Sequence, residues 1–339
     1  MTPAIVSLAG PALSADEAAL FRGADPAGYI LFARNIVDPD QLRRLTDALR
    51  GLHGRDDLAI LIDQEGGKVA RLSPPHWPDF PAGSAFGRLY DVAPASALAA
   101  VEANALAIAL TLHSLGITVN AWPLLDVRTP LSYAMIADRS FGGEPMRVAA
   151  LGRAAIKGLR AGGVVGVVKH MPGKGRAVVD SHVDLPRVMA SADELESDLA
   201  PFRALRDAPM GMTAHIVYEA WDAARPATQS PIVINDIIRG RIGFDGLLMS
   251  DAIEMEALSG SIAARALAAL VAGCDVALHC TGVLAETAAM IEAIGGDMDL
   301  RSRERLDRAM QMRNAAPDVG QLADALARRD ALLGLTEIA

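Results

Sequence analysis

Apolar and polar positions divide the chain into short apolar runs separated by longer segments of helical periodicity. Most of the short runs are continuous rather than alternating, which is typical of strands that are buried on both faces of a parallel sheet. Eight such runs predict strands at residues 5–9, 28–33, 58–63, 118–125, 164–169, 211–215, 246–250 and 275–279.

Helical patterns fill the intervals between these strands, at residues 41–52, 95–115, 145–161, 191–207, 261–272 and 284–294. In the fourth, Ser191 is the predicted N-cap and Glu194 completes a capping box. Repeated strand–helix alternation indicates an α/β protein, and the count of eight favours a (β/α)8 TIM barrel over a doubly wound sheet. Since no linker divides the chain, we predict one domain over residues 1–339, with residues 299–339 forming a C-terminal helical extension packed outside the barrel.

Composition narrows the classes of function. The formal net charge is −9 and Lys and Arg are scattered, so we expect no nucleic-acid partner. Residues 1–10 lack Lys and Arg, and no apolar stretch is long enough to span a bilayer, so we expect no signal peptide and no membrane partner. Cys274 and Cys280 are too far apart on one strand for a disulfide, which suits a reducing compartment. We therefore expect a cytoplasmic protein, and a monomer in the absence of any sign of assembly.

Polar side chains follow five of the predicted strands where each strand ends. In barrel enzymes these C-terminal strand ends form the face that carries the chemistry. The set therefore predicts an active site at one end of the barrel, formed by Asp63 and Glu65, Asp126, Lys169 and His170, His215, and Asp251.

One strand end and one loop have local chemistry that permits more than one interpretation. Asp251 closes an apolar run, where a carboxylate either caps the next helix or acts as a rigidly held nucleophile. Asp180 and His182 lie two residues apart, so in an extended segment they face the same side and the carboxylate raises the proton affinity of the imidazole. A solvated loop with a chance Asp-x-His is the alternative. The chain has no HExxH motif and no zinc-type Cys/His spacing, so no metal is expected.

Five motifs in order resemble glycoside hydrolase family 3, and in particular its single-domain bacterial β-N-acetylglucosaminidases of peptidoglycan recycling. They are DQEGGKVARL at 63–72, DRSFG at 138–142, KHMPG at 169–173, DSH at 180–182 and GLLMSD at 246–251. The resemblance implies a retaining exo-β-N-acetylglucosaminidase that needs no cofactor. Its small-molecule substrate would be an amino-sugar glycoside or muropeptide. In that substrate, N-acetylglucosamine would be linked to 1,6-anhydro-N-acetylmuramic acid, with or without attached peptide.

The resemblance also implies a role for each matching residue. Asp251 would be the nucleophile, and His182, paired with Asp180, the acid/base. This fits the chemistry of glycoside cleavage, which needs one carboxylate at the sugar centre and one proton donor for the leaving oxygen. The residues implied to hold the sugar are Asp63, Arg71, Arg139, Lys169 and His170.

Four positions depart from the family pattern. Lys174 stands where the family loop has His, and Arg176 adds a second cation, which suggests a changed preference on the leaving-group side. Ala252 replaces a frequent second Asp after the nucleophile. Asp138 replaces the usual Asn, and we expect it to compete for Arg139 by pairing with it.

Other functions remain open on the sequence alone. A β-glycoside phosphorylase would exploit the cations at Lys174 and Arg176, because a His acid/base does not repel phosphate. A β-glycosidase of other sugar specificity would use the same scaffold, and an aldolase or lyase would use Lys169 as a Schiff base. The last alternative is a non-catalytic sugar-binding protein.

Overall fold

The computed structural model describes residues 1–181, 183–314 and 316–337. Eight parallel strands form a closed barrel, which confirms the predicted (β/α)8 architecture. All eight predicted strands occur within a few residues of their expected places. Their bounds are Thr2–Ser7 (β1), Pro26–Leu31 (β2), Ala59–Ile62 (β3), Val119–Asn120 (β4), Val165–Met171 (β5), Met210–Thr213 (β7), Leu247–Ala252 (β9) and Val276–His279 (β10). A separate parallel pair joins Arg187–Val188 (β6) and Val217–Tyr218 (β8).

The barrel closes where β1 pairs with β10, with Ile5 opposite Leu278. Side chains alternate between two cores along each strand. Ile5 belongs to the cluster inside the barrel, whereas Ala4 and Val6 belong to the layer between strands and helices. Because both faces of each strand are buried, the strands read as continuous apolar runs in the sequence.

Strand β4 is much shorter than expected. The predicted strand at 118–125 keeps ladder pairing only at Val119–Asn120, and the chain then runs through Pro123, which has no N–H to donate to a neighbour. Beyond the proline, Leu124 makes one isolated parallel bridge with Lys169. The strand therefore ends early, and the residues after it form part of the mouth of the barrel.

The helices lie outside the barrel. Their bounds are Ala15–Ala24 (α1), Pro39–His53 (α2), Gly83–Val92 (α3), Pro94–Ser114 (α4), Ala134–Arg139 (α5), Pro145–Ala161 (α6), Glu196–Ala204 (α7), Ile262–Ala272 (α8), Leu284–Ile294 (α9), Leu300–Gln311 (α10) and Leu322–Leu333 (α11). The prediction omitted α1, α3, α5 and a π-helical segment at Val233–Ile242. It also began α7 too early, because the capping box of Ser191 and Glu194 closes a turn that precedes the helix.

Helix α4 corrects the expectation that no segment is long and apolar enough to cross a bilayer. Pro94–Ser114 passes that test by length and composition, and it was overlooked because Glu102 and Asn104 interrupt its apolar run. In this fold 67% of its apolar window is buried. It packs against α6 so closely that a Cβ on Gly158 would lie 2.4 Å from the Glu102 carbonyl oxygen. The helix therefore has the environment of a core helix.

The C-terminal helices pack outside the barrel, as expected. Helix α11 lies on α4. Leu306, Ala309 and Met310 of α10 join the apolar cluster that fills the barrel interior. Leu306 and Met310 lie beside Ala27 and Ala59, at the N-terminal ends of β2 and β3. Helix α10 thus covers the floor of the barrel and leaves the opposite end, where the polar strand ends meet, open.

Candidate active site

A cavity of about 500 Å³ opens at the C-terminal end of the barrel strands. Its size suits a small ligand, and its position is that of the active site in barrel enzymes. Six of the eight residues predicted to act on the substrate line it: Asp63, Arg71, Arg139, Lys169, His170 and Asp251.

A network of opposite charges forms one wall of the cavity. The Lys169 ammonium is 2.9 Å from Asp63 and 2.7 Å from Glu65. Glu65 also accepts two hydrogen bonds of 2.8 Å from the Arg139 guanidinium. Burial alone would raise the pKa of Glu65, but Arg139 and Lys169 outweigh it and lower this pKa to about 2. Glu65 is therefore ionised at neutral pH and holds both cations in place.

The charge on Lys169 bears on the Schiff-base alternative. Burial would lower its pKa, yet Asp63 and Glu65 raise it above the ordinary value for lysine. A lysine that forms a Schiff base needs the opposite, a lowered pKa that leaves the amine neutral. The arrangement favours a binding role for Lys169 and argues against an aldolase or lyase.

Arg139 does not pair with Asp138, so that expectation was wrong. The Asp138 carboxylate instead accepts a hydrogen bond of 3.3 Å from the Ser84 hydroxyl, on helix α3. The partner of Arg139 is Glu65, 74 residues away in the sequence. The departure at position 138 therefore leaves Arg139 at the cavity.

Arg71 has an unused donor. One of its terminal nitrogens lies 3.3 Å from Asp63, and its guanidinium stacks over the Phe32 ring with 5.3 Å between the guanidinium carbon and the ring centroid. Its buried Nε has no hydrogen-bond partner among the described residues. This Nε is closed to a ligand in the cavity, but 28% of the Arg71 side chain is exposed, so the part of the guanidinium that faces the cavity can donate to a ligand.

His170 is oriented by a buried carboxylate. The Asp126 side chain accepts from the His170 ring at 2.7 Å and from the Lys174 backbone N–H at 2.6 Å. Burial lowers the pKa of the His170 imidazole, despite the opposing effect of Asp126. A neutral imidazole that donates from Nδ1 to Asp126 presents Nε2 as an acceptor.

Asp251 lies at the end of β9 with its carboxylate at the cavity. Its Oδ1 accepts from the Ala252 backbone N–H at 2.9 Å. Burial would raise its pKa, but the neighbouring His170, His215 and Lys174 outweigh burial and lower this pKa below the ordinary range. Asp251 is therefore a carboxylate at neutral pH, as a nucleophile must be.

His215 supports this strand end from behind. It is fully buried and is absent from the residues that line the described cavity. Its ring nitrogens lie 2.9 Å from the Ala252 carbonyl and 2.8 Å from the Thr228 hydroxyl. Of the predicted strand-end set, His215 and Asp126 thus hold backbone groups rather than line the described cavity.

The loop after β5 carries the predicted acid/base pair. His182 lies outside the described residues, so its role stays a prediction. Asp180 is described and partly exposed, and its carbonyl accepts from the backbone N–H groups of Val183 and Asp184 at 3.0 and 3.1 Å. Among the described residues, Asp180 is not one that lines the cavity. Lys174, near the start of this loop, does line the cavity, as Asp251 does.

Some residues at the cavity had no individual role in the prediction. Glu65, of the strand-end set, lines the cavity, and Asp126 of the same set lies behind it against His170 and Lys174. Lys174, which departs from the family motif, also lines the cavity. Glu254 and Cys280 also line the cavity, with the Cys280 N–H donating to the Glu254 carboxylate at 3.2 Å. Nothing local distinguished these two. Both cysteines are free, as predicted, and the structure buries them.

The Arg176 side chain points away from the cavity that Lys174 lines. Its guanidinium donates to the Asp198 carboxylate at 2.8 Å, and it is not among the described residues that line the cavity. The expected second cation on the leaving-group side is thus turned toward helix α7. No group of His, Cys, Asp and Glu among residues 1–181, 183–314 and 316–337 is arranged to hold a metal ion.

Comparisons with known proteins agree with this geometry. The Glycosyl hydrolase family 3 N terminal domain matches residues 6–311. A β-hexosaminidase of Methylococcus capsulatus is 40% identical over 292 residues, which cover 85% of this chain and 85% of that protein. NagZ from Neisseria gonorrhoeae, solved in complex with N-trifluoroacetyl-D-glucosamine, superposes with a TM-score of 0.86 at 31% identity, covering 99% of this chain and 98% of that one.

A family 3 β-N-acetylglucosaminidase from Paenibacillus superposes with a TM-score of 0.80 at 33% identity over 97% of this chain and 61% of that one. These matches run across nearly the whole barrel and include the motifs that form the cavity. This chain therefore belongs to glycosyl hydrolase family 3.

Proposed function

We propose that this chain is a retaining exo-β-N-acetylglucosaminidase, a β-N-acetylhexosaminidase that releases terminal N-acetylglucosamine. The observation that carries the proposal is the Asp251 carboxylate, which lies on a rigid strand end in a cavity of sugar size. Relatives with the names β-hexosaminidase and NagZ support the sugar.

The sugar would be held by the charged wall opposite the nucleophile. Asp63 accepts from two sugar hydroxyls, while Lys169 and the Arg71 guanidinium donate to sugar oxygens. Arg139 and His170 complete the set. Because Glu65 and Asp126 fix these side chains before the substrate arrives, the sugar meets partners that are already oriented.

The reaction would proceed in two displacements. In the first, the Asp251 carboxylate forms a bond to the anomeric carbon, the glycosidic bond breaks, and His182 gives its proton to the leaving oxygen. In the second, His182 takes a proton from water, the water oxygen attacks the anomeric carbon, and the Asp251 carboxylate is released. Asp180 would hold the imidazole in orientation and favour its protonated form. Each step balances without a cofactor.

We propose peptidoglycan fragments as the substrate class, with N-acetylglucosamine linked to 1,6-anhydro-N-acetylmuramic acid, with or without peptide. Two buried free thiols support a cytoplasmic location. We also propose that residues 1–339 act as one domain, since α11 packs on α4 and α10 covers the barrel floor. We propose in addition that the protein is a monomer.

The first test is hydrolysis of 4-nitrophenyl N-acetyl-β-glucosaminide by the wild type and by Asp251→Asn. We expect turnover by the wild type and a loss of at least about a thousandfold in the variant, because the nucleophile is removed. Asp207→Asn is the matched control, since Asp207 is an exposed carboxylate paired with Arg153. Unchanged activity in Asp251→Asn would move the nucleophile elsewhere and refute the mechanism.

A second test addresses the acid/base and the product. His182→Ala should reduce turnover of natural glycosides far more than that of dinitrophenyl glycosides, whose leaving group needs little protonation. Equal losses would refute the acid role. The anomer that NMR detects first should be β, as retention requires. With phosphate present the product should still be free N-acetylglucosamine, and a sugar 1-phosphate would instead indicate a phosphorylase.

A further inference from the structure

Lys174 is a buried lysine that no part of the proposed mechanism uses. Its side chain lines the cavity beside Asp251, although the residue is only 5% exposed. Burying a lysine costs free energy unless the ammonium has partners. Its retention in the cavity therefore calls for an explanation in terms of what the ammonium contacts.

The first contact of the ammonium is with the loop that carries the predicted acid/base pair. Lys174 Nζ donates to the Ser181 hydroxyl at 2.6 Å, and Ser181 is fully buried. The Ser181 carbonyl accepts from the Ala257 backbone N–H at 3.2 Å. Ser181 is thus held from two sides, by the base of its own loop and by the segment that follows the nucleophile strand β9.

The second relationship of the ammonium is with the nucleophile. The charges that act on Asp251 come from His170 at the end of β5, Lys174 in the loop after β5, His215 after β7, and Glu254 on its own segment. His170 and His215 are buried imidazoles whose pKa values are lowered. The third neighbour, Lys174, is an amine. Burial lowers the pKa of Lys174 below the ordinary value for lysine; Arg139 adds to this effect, whereas Asp251, Asp126 and Asp180 oppose it.

We propose that Lys174 is a positioning residue for both reacting groups. Its ammonium holds Ser181, and with it the loop that presents the acid/base pair, and it supplies positive charge beside the Asp251 carboxylate. The inference deepens the proposed function and depends on it. It also explains the departure from the family loop at position 174: the change affects the two reacting groups rather than a phosphate site.

The two roles predict separable effects. Removing the charge raises the pKa of Asp251, so the acid limb of the kcat/KM profile moves to higher pH. Loss of the hydrogen bond to Ser181 impairs proton donation by the acid/base, so the decrease in kcat/KM is larger for substrates with poorer leaving groups. A residue that served folding alone would lower activity without either signature.

The experiment compares Lys174→Met with Ser181→Ala. Lys174→Met should show both signatures, with a loss of about tenfold or more on 4-nitrophenyl N-acetyl-β-glucosaminide and a smaller one on the dinitrophenyl glycoside. Ser181→Ala should show the leaving-group dependence with the acid limb in place. Lys157→Met is the matched control, because the Lys157 side chain is 69% exposed and pairs with Glu102 on the surface. Lys174→Arg, which keeps the charge, should restore the acid limb.

An acid limb that stays in place in Lys174→Met overturns the proposal, as does a loss equal for both leaving groups. Should Lys174→Met fail to fold in a thermal melt, Lys174→Gln provides the same test of the charge. The failures are distinguishable: an inactive wild type or an active Asp251→Asn refutes the proposed function, whereas an active wild type with an unaffected Lys174→Met refutes this inference alone.

Discussion

Replacing Glu65 by Gln should destabilise the fold by about 3 kcal/mol at pH 7. Glu65 is 3% exposed and binds Lys169 and Arg139, which keep their charges when the partner is neutral. Its pKa falls from an ordinary value of 4.5 to about 2, and each pKa unit corresponds to about 1.4 kcal/mol. Removing one member of a buried pair has a cost of the same order, because it leaves an uncompensated charge.

The effect should depend on pH in a known direction. The pKa of Glu65 is lower in the folded state, so its contribution to stability is fully present above pH 4.5 and is lost as the pH falls toward 2. The difference between wild type and Glu65→Gln should therefore be constant from pH 7 to about 5 and shrink below that. With an unfolding entropy of about 2 cal/mol/K per residue over 339 residues, about 3 kcal/mol corresponds to about 4 °C in Tm.

The assay is thermal unfolding followed by circular dichroism at pH 7, 5 and 3. Glu102→Gln is the control, because Glu102 and its partner Lys157 are exposed and such pairs contribute less than about 1 kcal/mol. A Tm for Glu65→Gln within about 1 °C of the control at pH 7 would refute the reasoning. So would a difference that persists unchanged at pH 3.

Three further predictions address other contacts. Arg71→Met should raise the Kd for N-acetylglucosamine in calorimetry by about tenfold, because the guanidinium that lines the cavity is lost as a donor. Asp275→Asn should lower the free energy of unfolding by about 3 kcal/mol in urea, because Arg239 and Arg305 lose a buried partner at 2.7 and 2.8 Å. Arg176→Met should leave kcat/KM and its response to phosphate unchanged, because Arg176 is directed toward helix α7.

Each of these predictions has a result that contradicts it. An unchanged Kd in Arg71→Met would mean that the Arg71 guanidinium does not contact the ligand. A loss below about 1 kcal/mol in Asp275→Asn would mean that the arginines find other partners, and Asp207→Asn on the surface provides the baseline. A phosphate response that disappears in Arg176→Met would bring the phosphorylase back into consideration.

Local pattern determined much of this protein. The eight apolar runs became eight strands because a strand buried on both faces cannot carry polar side chains along its length. Helix bounds at Pro145–Ala161 and Leu284–Ile294 were confirmed to the residue. The prediction omitted helix α1, although the sequence contains its N-terminal signal, the capping box of Ser14 and Glu17. The strand-end rule placed Asp63, Lys169 and Asp251 at one cavity.

Tertiary structure alone decided how those residues pair. Arg139 pairs with Glu65 rather than with its neighbour Asp138, and Lys174 reaches Ser181, because partners across a barrel mouth depend on how neighbouring strands are staggered and on where each loop returns. The same holds for helix α4, whose apolar surface satisfies the membrane criterion and which becomes a core helix only because α6 and α11 cover it. Sequence pattern reports the face that a residue occupies, whereas its partner is decided by closure of the barrel.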